Sequence, residues 1–190
     1  MGKTIHYSIR EIFSRPVWEE FLLCFSPHAL FQSWLWGEVQ KKCNVKFWRF
    51  GLYEKDVLHA VFQVTKISAR RGIHLHVRHG PICSEFNEIQ LKSIVEFLKN
   101  LARKEGAWFV RINPLVSDTE EMHALFKAQG GISSAIHAMD GEHCWVLDLS
   151  CSEEDLLSQM RKTTRYEIRQ KEKFGVRVIR SQENRYFDEF

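Results

Sequence analysis

Between Val57 and Ile112 the apolar residues change period twice, and that change restricts the chain to a layered mixture of sheet and helix. Val57, His59, Val61, Gln63 and Thr65 alternate with Leu58, Ala60, Phe62 and Val64, so one face of an extended run is the more apolar. Leu91, Ile94, Val95, Leu98, Leu101 and Ala102 then recur at helical spacing over Asn87–Lys104, and Gly106 stops the pattern. Ala107–Ile112 reads as a short apolar strand broken by Pro114. Strand, helix and strand in succession predict an α/β or α+β layer fold.

The flanking sequence extends the pattern. A short apolar helix is expected over Val17–Phe25, with Pro16 at its first turn and Ser26-Pro27-His28 ending it. Ser33 is a candidate N-cap for a second helix whose Trp36, Val39 and Cys43 fall at helical spacing. Lys46–Tyr53 and Val57–Lys66 read as strands joined by Glu54-Lys55-Asp56, and Ile73–Val77 follows the Arg70-Arg71-Gly72 turn. Further helices are predicted over Thr119–Gln129 and from Ser152 onward, where acids fill the first turn. The basic run 161–174 continues as helix or forms a second one. Residues 132–138, His143–Leu149 and Val176–Arg180 read as strands.

With 190 residues, fourteen Phe and six Trp, the chain has enough apolar area for a core, which excludes a disordered class. No apolar run approaches the ~18 residues of a membrane span, and Met1–His6 lacks a secretory pattern, so a cytoplasmic protein is expected. The five cysteines are scattered without a Cys-x-x-Cys pair, which predicts no metal site and reduced, largely core thiols. His74 and His76 share one strand face, but spacing supplies no third ligand. Residues 161–190 hold nine Lys/Arg against five Asp/Glu, whereas the preceding 160 hold eighteen against nineteen. The positive excess is therefore local, as on a solvated helix face or a patch that meets a polyanion. Dinucleotide, P-loop and nucleophile-elbow motifs are absent.

Four segments carry a resemblance. They are Phe31-Gln32-Ser33-Trp34-Leu35-Trp36-Gly37-Glu38-Val39-Gln40-Lys41, Arg78-His79-Gly80-Pro81-Ile82, Trp108-Phe109-Val110-Arg111-Ile112-Asn113-Pro114, and the basic stretch Met160 to Val176. In order and spacing, over about Phe31 to Ser181, the chain resembles the FemABX family of peptidoglycan bridge-forming aminoacyltransferases. The resemblance implies a GNAT-like mixed sheet flanked by helices. Residues 1–150 would form one such unit and residues 151–190 the truncated start of a second, in a fragment expected to be inactive alone. It implies transfer of an amino acid from aminoacyl-tRNA to the stem amine of a lipid-linked or nucleotide-linked muropeptide, with peripheral membrane contact through a lipid-linked substrate. No cofactor is implied; the glycine-containing turn with which acetyl-CoA enzymes of this fold hold pyrophosphate is not evident.

The resemblance also assigns residues. Gln40 stands where the family has a basic residue that binds acceptor phosphate; it can donate a hydrogen bond but lacks the charge. Lys41 substitutes only if the helix turns by about 100°. Asn113 replaces the family's acid before proline, so it can orient the attacking amine but cannot act as a base. Trp108 falls where an aromatic shapes the acceptor site, against the alternative of a core tryptophan. Arg161, Arg165 and Arg169, at i, i+4 and i+8, match a basic helix that tracks tRNA or acceptor phosphates. Two alternatives remain open at this level: a GNAT-type N-acyltransferase that uses acyl-CoA, and a non-catalytic GNAT-like module.

Overall fold

Strand alternation and one long amphipathic helix build a six-stranded sheet in the computed structural model. It describes residues 6–25, 29–70, 72–134, 147–171, 173–175, 177–181 and 183. The chain divides into two compact units, residues 1–140 and 141–190.

In the first unit the order is β1 (Tyr7–Glu11), α1 (Arg15–Leu23), a 3-10 turn at Leu30–Gln32 and α2 (Trp34–Lys42). There follow β2 (Phe47–Glu54), β3 (Val57–Ala69), β4 (Gly72–Arg78), β5 (Ile82–Cys83), α3 (Glu88–Glu105), β6 (Phe109–Asn113) and α4 (Glu120–Ala128). The strands run β1-β2-β3-β4-β6, with β5 also paired to β3. All pairs are antiparallel except β4 with β6. That parallel pair needs a crossover, and the 18-residue α3 supplies it. Asn87 caps α3 by accepting from the Gln90 amide, and Gly106 ends it in the left-handed conformation.

The helical stripe read from the sequence is the stripe that is buried. Leu91, Ile94, Leu98 and Ala102 are withdrawn from solvent. Ile94, Leu98 and Ala102 pack against Phe50, Leu52, Ala60, Phe62, Val64, Leu75 and Val77 on one sheet face. On the other face, Ile12, Trp18, Leu22, Ala29, Val61 and Ile82 form a second cluster under α1. Both faces of the middle of β3 are therefore covered, which makes it more buried than its alternation implied.

Glu105 anchors the end of α3. Its carboxylate sits 2.8 Å from Lys46 Nζ and 3.1 Å from Lys66 Nζ, and Lys66 also donates to the Glu105 carbonyl. Hydrogen bonding from Lys46, with Lys66 assisting, holds this carboxyl below its ordinary value. A depressed carboxylate contributes stability above its unfolded pKa and loses it as pH falls through the folded value. The unsubstituted protein is thus expected to lose more stability than Glu105→Gln between about pH 5 and about pH 3. Parallel losses in urea melts across that range would contradict the linkage.

Several expectations change. Tyr7–Glu11 is a strand that five residues of weak alternation did not signal. In α2 the buried position is Gly37, while Val39 and Cys43 are exposed, because the helix meets the sheet through its narrowest residue. Cys24 and Cys151 are exposed too, so of the described cysteines only Cys83 is withdrawn, and burial pushes its thiol up to about 12. Residues 177–180 are irregular, with Val178 and Ile179 exposed, and no neighbouring strand pairs with them among the described residues. Residues 132–134 and 147–149 are likewise irregular. The remainder of those two predicted strands, Ser26-Pro27-His28 and Cys144 lie outside the described residues.

In the second unit, Ser152 caps α5 (Glu153–Gln159), accepting from the Asp155 amide. The backbone turns extended at Met160, and α6 (Lys162–Gln170) follows as a separate helix.

Candidate functional site

The sheet is apolar on its α3 face as far as Lys66, which pairs with Glu105, but changes character on the α2 face. Alternation along β3, β4 and β6, with the observed register, puts Gln63 and Thr65, then His74, His76 and Arg78, then Phe109, Arg111 and Asn113 on that side. Six of these eight carry hydrogen-bonding groups other than a hydroxyl, and Gln63, His74 and His76 are buried.

The site begins where β3 and β4 separate. Their ladder ends at Thr65 opposite His76, and the next step in register would oppose Gln63 and Arg78. The buried side-chain amide of Gln32 occupies that step. Its Oε1 accepts from the Gln63 amide at 2.7 Å, and its Nε2 donates to the Arg78 carbonyl at 2.6 Å. A side chain thus takes the place of a strand backbone. Trp18 Nε1 donates to the Gln32 carbonyl at 2.7 Å and holds the turn in place. A Cβ on Gly80 would lie 2.7 Å from the Gln32 amide, so the close approach requires glycine there.

Above this junction Ser33 caps α2 by accepting from the Trp36 amide, and Gly37 brings the helix down onto Arg49 and Gln63. Arg49 is buried between the rings of Trp34 and Phe47, and it donates to the Trp34 carbonyl and to Glu38. Burial lowers its pKa, and Glu38 partly offsets that.

A cavity of about 60 Å³ opens beside the junction, lined by Phe31, Trp36, Gln40, Gln63, Thr65, Ile67, His76 and Arg78. The Arg78 guanidinium stacks 3.5 Å over the Phe31 ring, which also meets Trp36 edge-on. His76 Nε2 lies 2.9 Å from Asn113 Oδ1. Behind it, His74 stacks on Phe109, and burial, with the Arg111 charge assisting, lowers its pKa. An aromatic wall, a guanidinium and amide groups suit a polar, anionic ligand with an apolar portion.

The predicted residues separate by position. Gln40 lines the cavity, and Asn113 reaches it through His76. Lys41 instead lines a shallow groove of about 470 Å³ with Phe13, Trp34, Glu38 and Trp48. Trp108 is 76% exposed, which excludes the core alternative, and it covers Gly72 at the opposite end of β6 from Asn113. Arg161 and Arg169 are exposed around α6, whereas Arg165 donates to the Ser158 and Met160 carbonyls that end α5. Gln32, Gln63, His76 and Arg78 join the site although the sequence does not mark them as site residues. Gln32 and Arg78 lie within two of the FemABX-like segments. Among the described residues no cluster of His, Cys, Asp or Glu is arranged to hold a metal ion.

The model of the FemAB family matches residues 16–190. The chain belongs to the FemAB family. Comparison with curated proteins finds no match. Among solved structures, FemX superposes with a TM-score of 0.71 at 18% identity, covering 92% of this chain and 46% of FemX. This FemAB chain therefore spans about half the length of that structure. Glucosamine-6-phosphate N-acetyltransferase from Arabidopsis thaliana gives a TM-score of 0.50 at 16% identity, covering 73% of this chain and 99% of that enzyme. These likenesses establish the GNAT-like fold expected from the sequence.

Ser84-Glu85-Phe86-Asn87 contains no glycine, Asn87 Oδ1 already accepts the Gln90 amide at 3.0 Å, and Glu88 adds an acid to the first turn. Donor supply and charge both disfavour a pyrophosphate at this helix start. No helix among the described residues is long and apolar enough to cross a membrane.

Proposed function

We propose that this chain is the acceptor-binding part of an aminoacyltransferase that moves an amino acid from aminoacyl-tRNA to the stem amine of a peptidoglycan precursor. The observation that carries the reading is the convergence of three FemABX-like segments on one cavity. Phe31 and Gln40 come from the first, Arg78 from the second, and Asn113, through His76, from the third.

Arg78 supplies the fixed charge for a diphosphate or carboxylate of the muropeptide, and Gln40 adds an uncharged donor where the family carries a cation. Asn113 orients groups near the amine through hydrogen bonding. Lys41 and Trp108, set apart from the cavity, serve the acceptor through its more distant parts. Residues 151–190 open a second GNAT-like domain, and the complete enzyme is cytoplasmic, meeting the membrane through its lipid-linked substrate. Arg161 and Arg169 contact tRNA phosphate, while Arg165 sets the angle between α5 and α6.

In the complete enzyme, Gln40→Ala is expected to weaken binding of a nucleotide-linked muropeptide about tenfold by calorimetry, the loss of one charge-assisted hydrogen bond. Arg161→Glu with Arg169→Glu is expected to lower the log–log salt slope of aminoacyl-tRNA binding by about 1.5, the effect of losing two phosphate contacts. Unchanged muropeptide affinity together with an unchanged slope would reject the reading.

A further inference from the structure

We infer that Trp108 is the stacking surface for the base of a nucleotide-linked acceptor, with Arg70 and Lys104 holding its diphosphate. The inference names the acceptor of the proposed aminoacyl transfer and rests on that reading.

The ring is set in place by its own chain. The Trp108 amide donates to the Ile73 carbonyl at 2.8 Å, which ties it to the start of β4. A Cβ on Gly72 would meet Trp108 Cε3 at 2.9 Å, Cδ2 at 3.0 Å and Cζ3 at 3.1 Å. Those three atoms are consecutive in the six-membered ring, so a point nearly equidistant from them lies over the ring face. An approach in the ring plane would leave Cδ2 and Cζ3 well beyond Cε3. One face of the indole therefore rests on Gly72, and with 76% of the residue exposed the other face meets solvent. An indole already held flat loses little freedom when a second ring stacks on it.

The segments around the ring are basic. Arg70 stands in the β3–β4 turn two residues before Gly72, and Lys104 lies in the last turn of α3, four residues before Trp108. Both are exposed, and neither pairs with an acid among the described residues. Residues 66–75 and 101–111 contain one acid, Glu105, which Lys46 and Lys66 already occupy. The field at this end of the sheet is positive.

A flat open ring beside two uncommitted cations matches a nucleobase joined to a diphosphate. One ring and two cations provide for one nucleotide, whereas a strand of RNA would call for successive rings. A lipid-linked acceptor brings the diphosphate without a base and leaves the ring unused. Gly72 and Arg78 are the two ends of β4, about 20 Å apart at ~3.3 Å per residue, which an extended sugar and peptide stem can span. With the diphosphate at the Trp108 end, the anion that meets the cavity is a carboxylate of the stem. The Gln40 position then has no phosphate charge to neutralise.

The test is calorimetric titration of the complete enzyme with the common nucleoside diphosphates, with pyrophosphate and with a nucleotide-linked muropeptide. At least one nucleoside diphosphate should bind and displace the muropeptide. Trp108→Ala should weaken nucleoside diphosphate binding about tenfold and Trp108→Phe about threefold, with pyrophosphate unaffected by either. Arg70→Glu with Lys104→Glu should weaken nucleoside diphosphate and pyrophosphate alike, by about tenfold or more. In the unsubstituted enzyme the Trp108 ring protons, assigned by their loss in Trp108→Phe, should move upfield on saturation, a readout independent of folding in the variants. Muropeptide affinity unchanged in Trp108→Ala, with no displacement by any nucleoside diphosphate, overturns the stacking role and leaves the transfer reading standing. Binding of a short single-stranded RNA that depends on Trp108, with no nucleoside diphosphate bound, overturns the assignment to the acceptor. Failure of the unsubstituted enzyme to bind muropeptide overturns the functional reading, and the stacking role with it.

Discussion

Replacing Gln32 with leucine is expected to remove about 4 kcal/mol of folding stability, although the two side chains are nearly equal in volume. Leucine leaves the Gln63 N–H and the Arg78 C=O facing one another across a gap that the Gln32 amide had filled. Each stranded buried backbone group costs about 1–3 kcal/mol. For a domain stable by about 5–15 kcal/mol, such a loss is readily measured as a lowered urea midpoint at unchanged slope. A loss below about 1 kcal/mol would mean that the strands close the gap themselves. Gln32→Glu separates donor from acceptor. An ionised carboxylate can accept from Gln63 but repels the Arg78 carbonyl, whereas a carboxylic acid satisfies both. The folded protein therefore raises this carboxyl's pKa, and the variant should gain stability as pH falls from about 7 to about 5. Stability of the variant that is flat over that range would contradict the assignment of the two atoms.

The second large effect is expected at Gly37. A Cβ there would lie 2.2 Å from Arg49 Nη2 and 2.4 Å from Gln63 Oε1, both on buried side chains. Alanine favours a helix interior over glycine by about 1 kcal/mol, so propensity alone predicts stabilisation. Overpacking should outweigh it and leave Gly37→Ala less stable by about 2 kcal/mol. Displacing α2 also moves Trp36 and Gln40, which line the cavity, so muropeptide affinity should fall as well. Arg49→Met removes the nearer obstacle. In that background the Gly37→Ala cost should shrink, giving a coupling of about 1 kcal/mol in a double-mutant cycle. Additive losses would place the clash elsewhere.

The helices of this chain are legible wherever one stripe and one cap act together. Asn87, the Leu91–Ala102 stripe and Gly106 mark α3 within one residue of its observed start and stop, and Ser33, Thr119 and Ser152 each cap the helix that follows. Such signals are local, since a cap bonds only within three residues of itself. Gly37 defeated the same reasoning in α2. Helical spacing assumes that the largest apolar residues face inward, and here the buried face is defined by the smallest residue on it.

The cavity was legible in part. Gln40 and Asn113 could be placed by resemblance, but nothing local joins them, because they stand 73 residues apart in sequence and meet through His76. His76 looked like half of an incomplete metal pair. Gln32 looked like an ordinary polar residue before a helix cap, and its role depends on a strand register that pairing over long distance alone creates.

By itself, then, the sequence determined the strand–helix–strand layering, the α3 stripe that covers one sheet face, and the local excess of positive charge after residue 160. These follow from period, capping and composition, which act over a turn or a few residues. Tertiary structure decided that a glutamine amide would replace a rung between two strands, and that Gln40 and Lys41 would face different hollows. It also decided that Asn113 would reach the cavity through a histidine. Those outcomes depend on which strands become neighbours and how closely a helix approaches them, and both are settled by packing between distant segments.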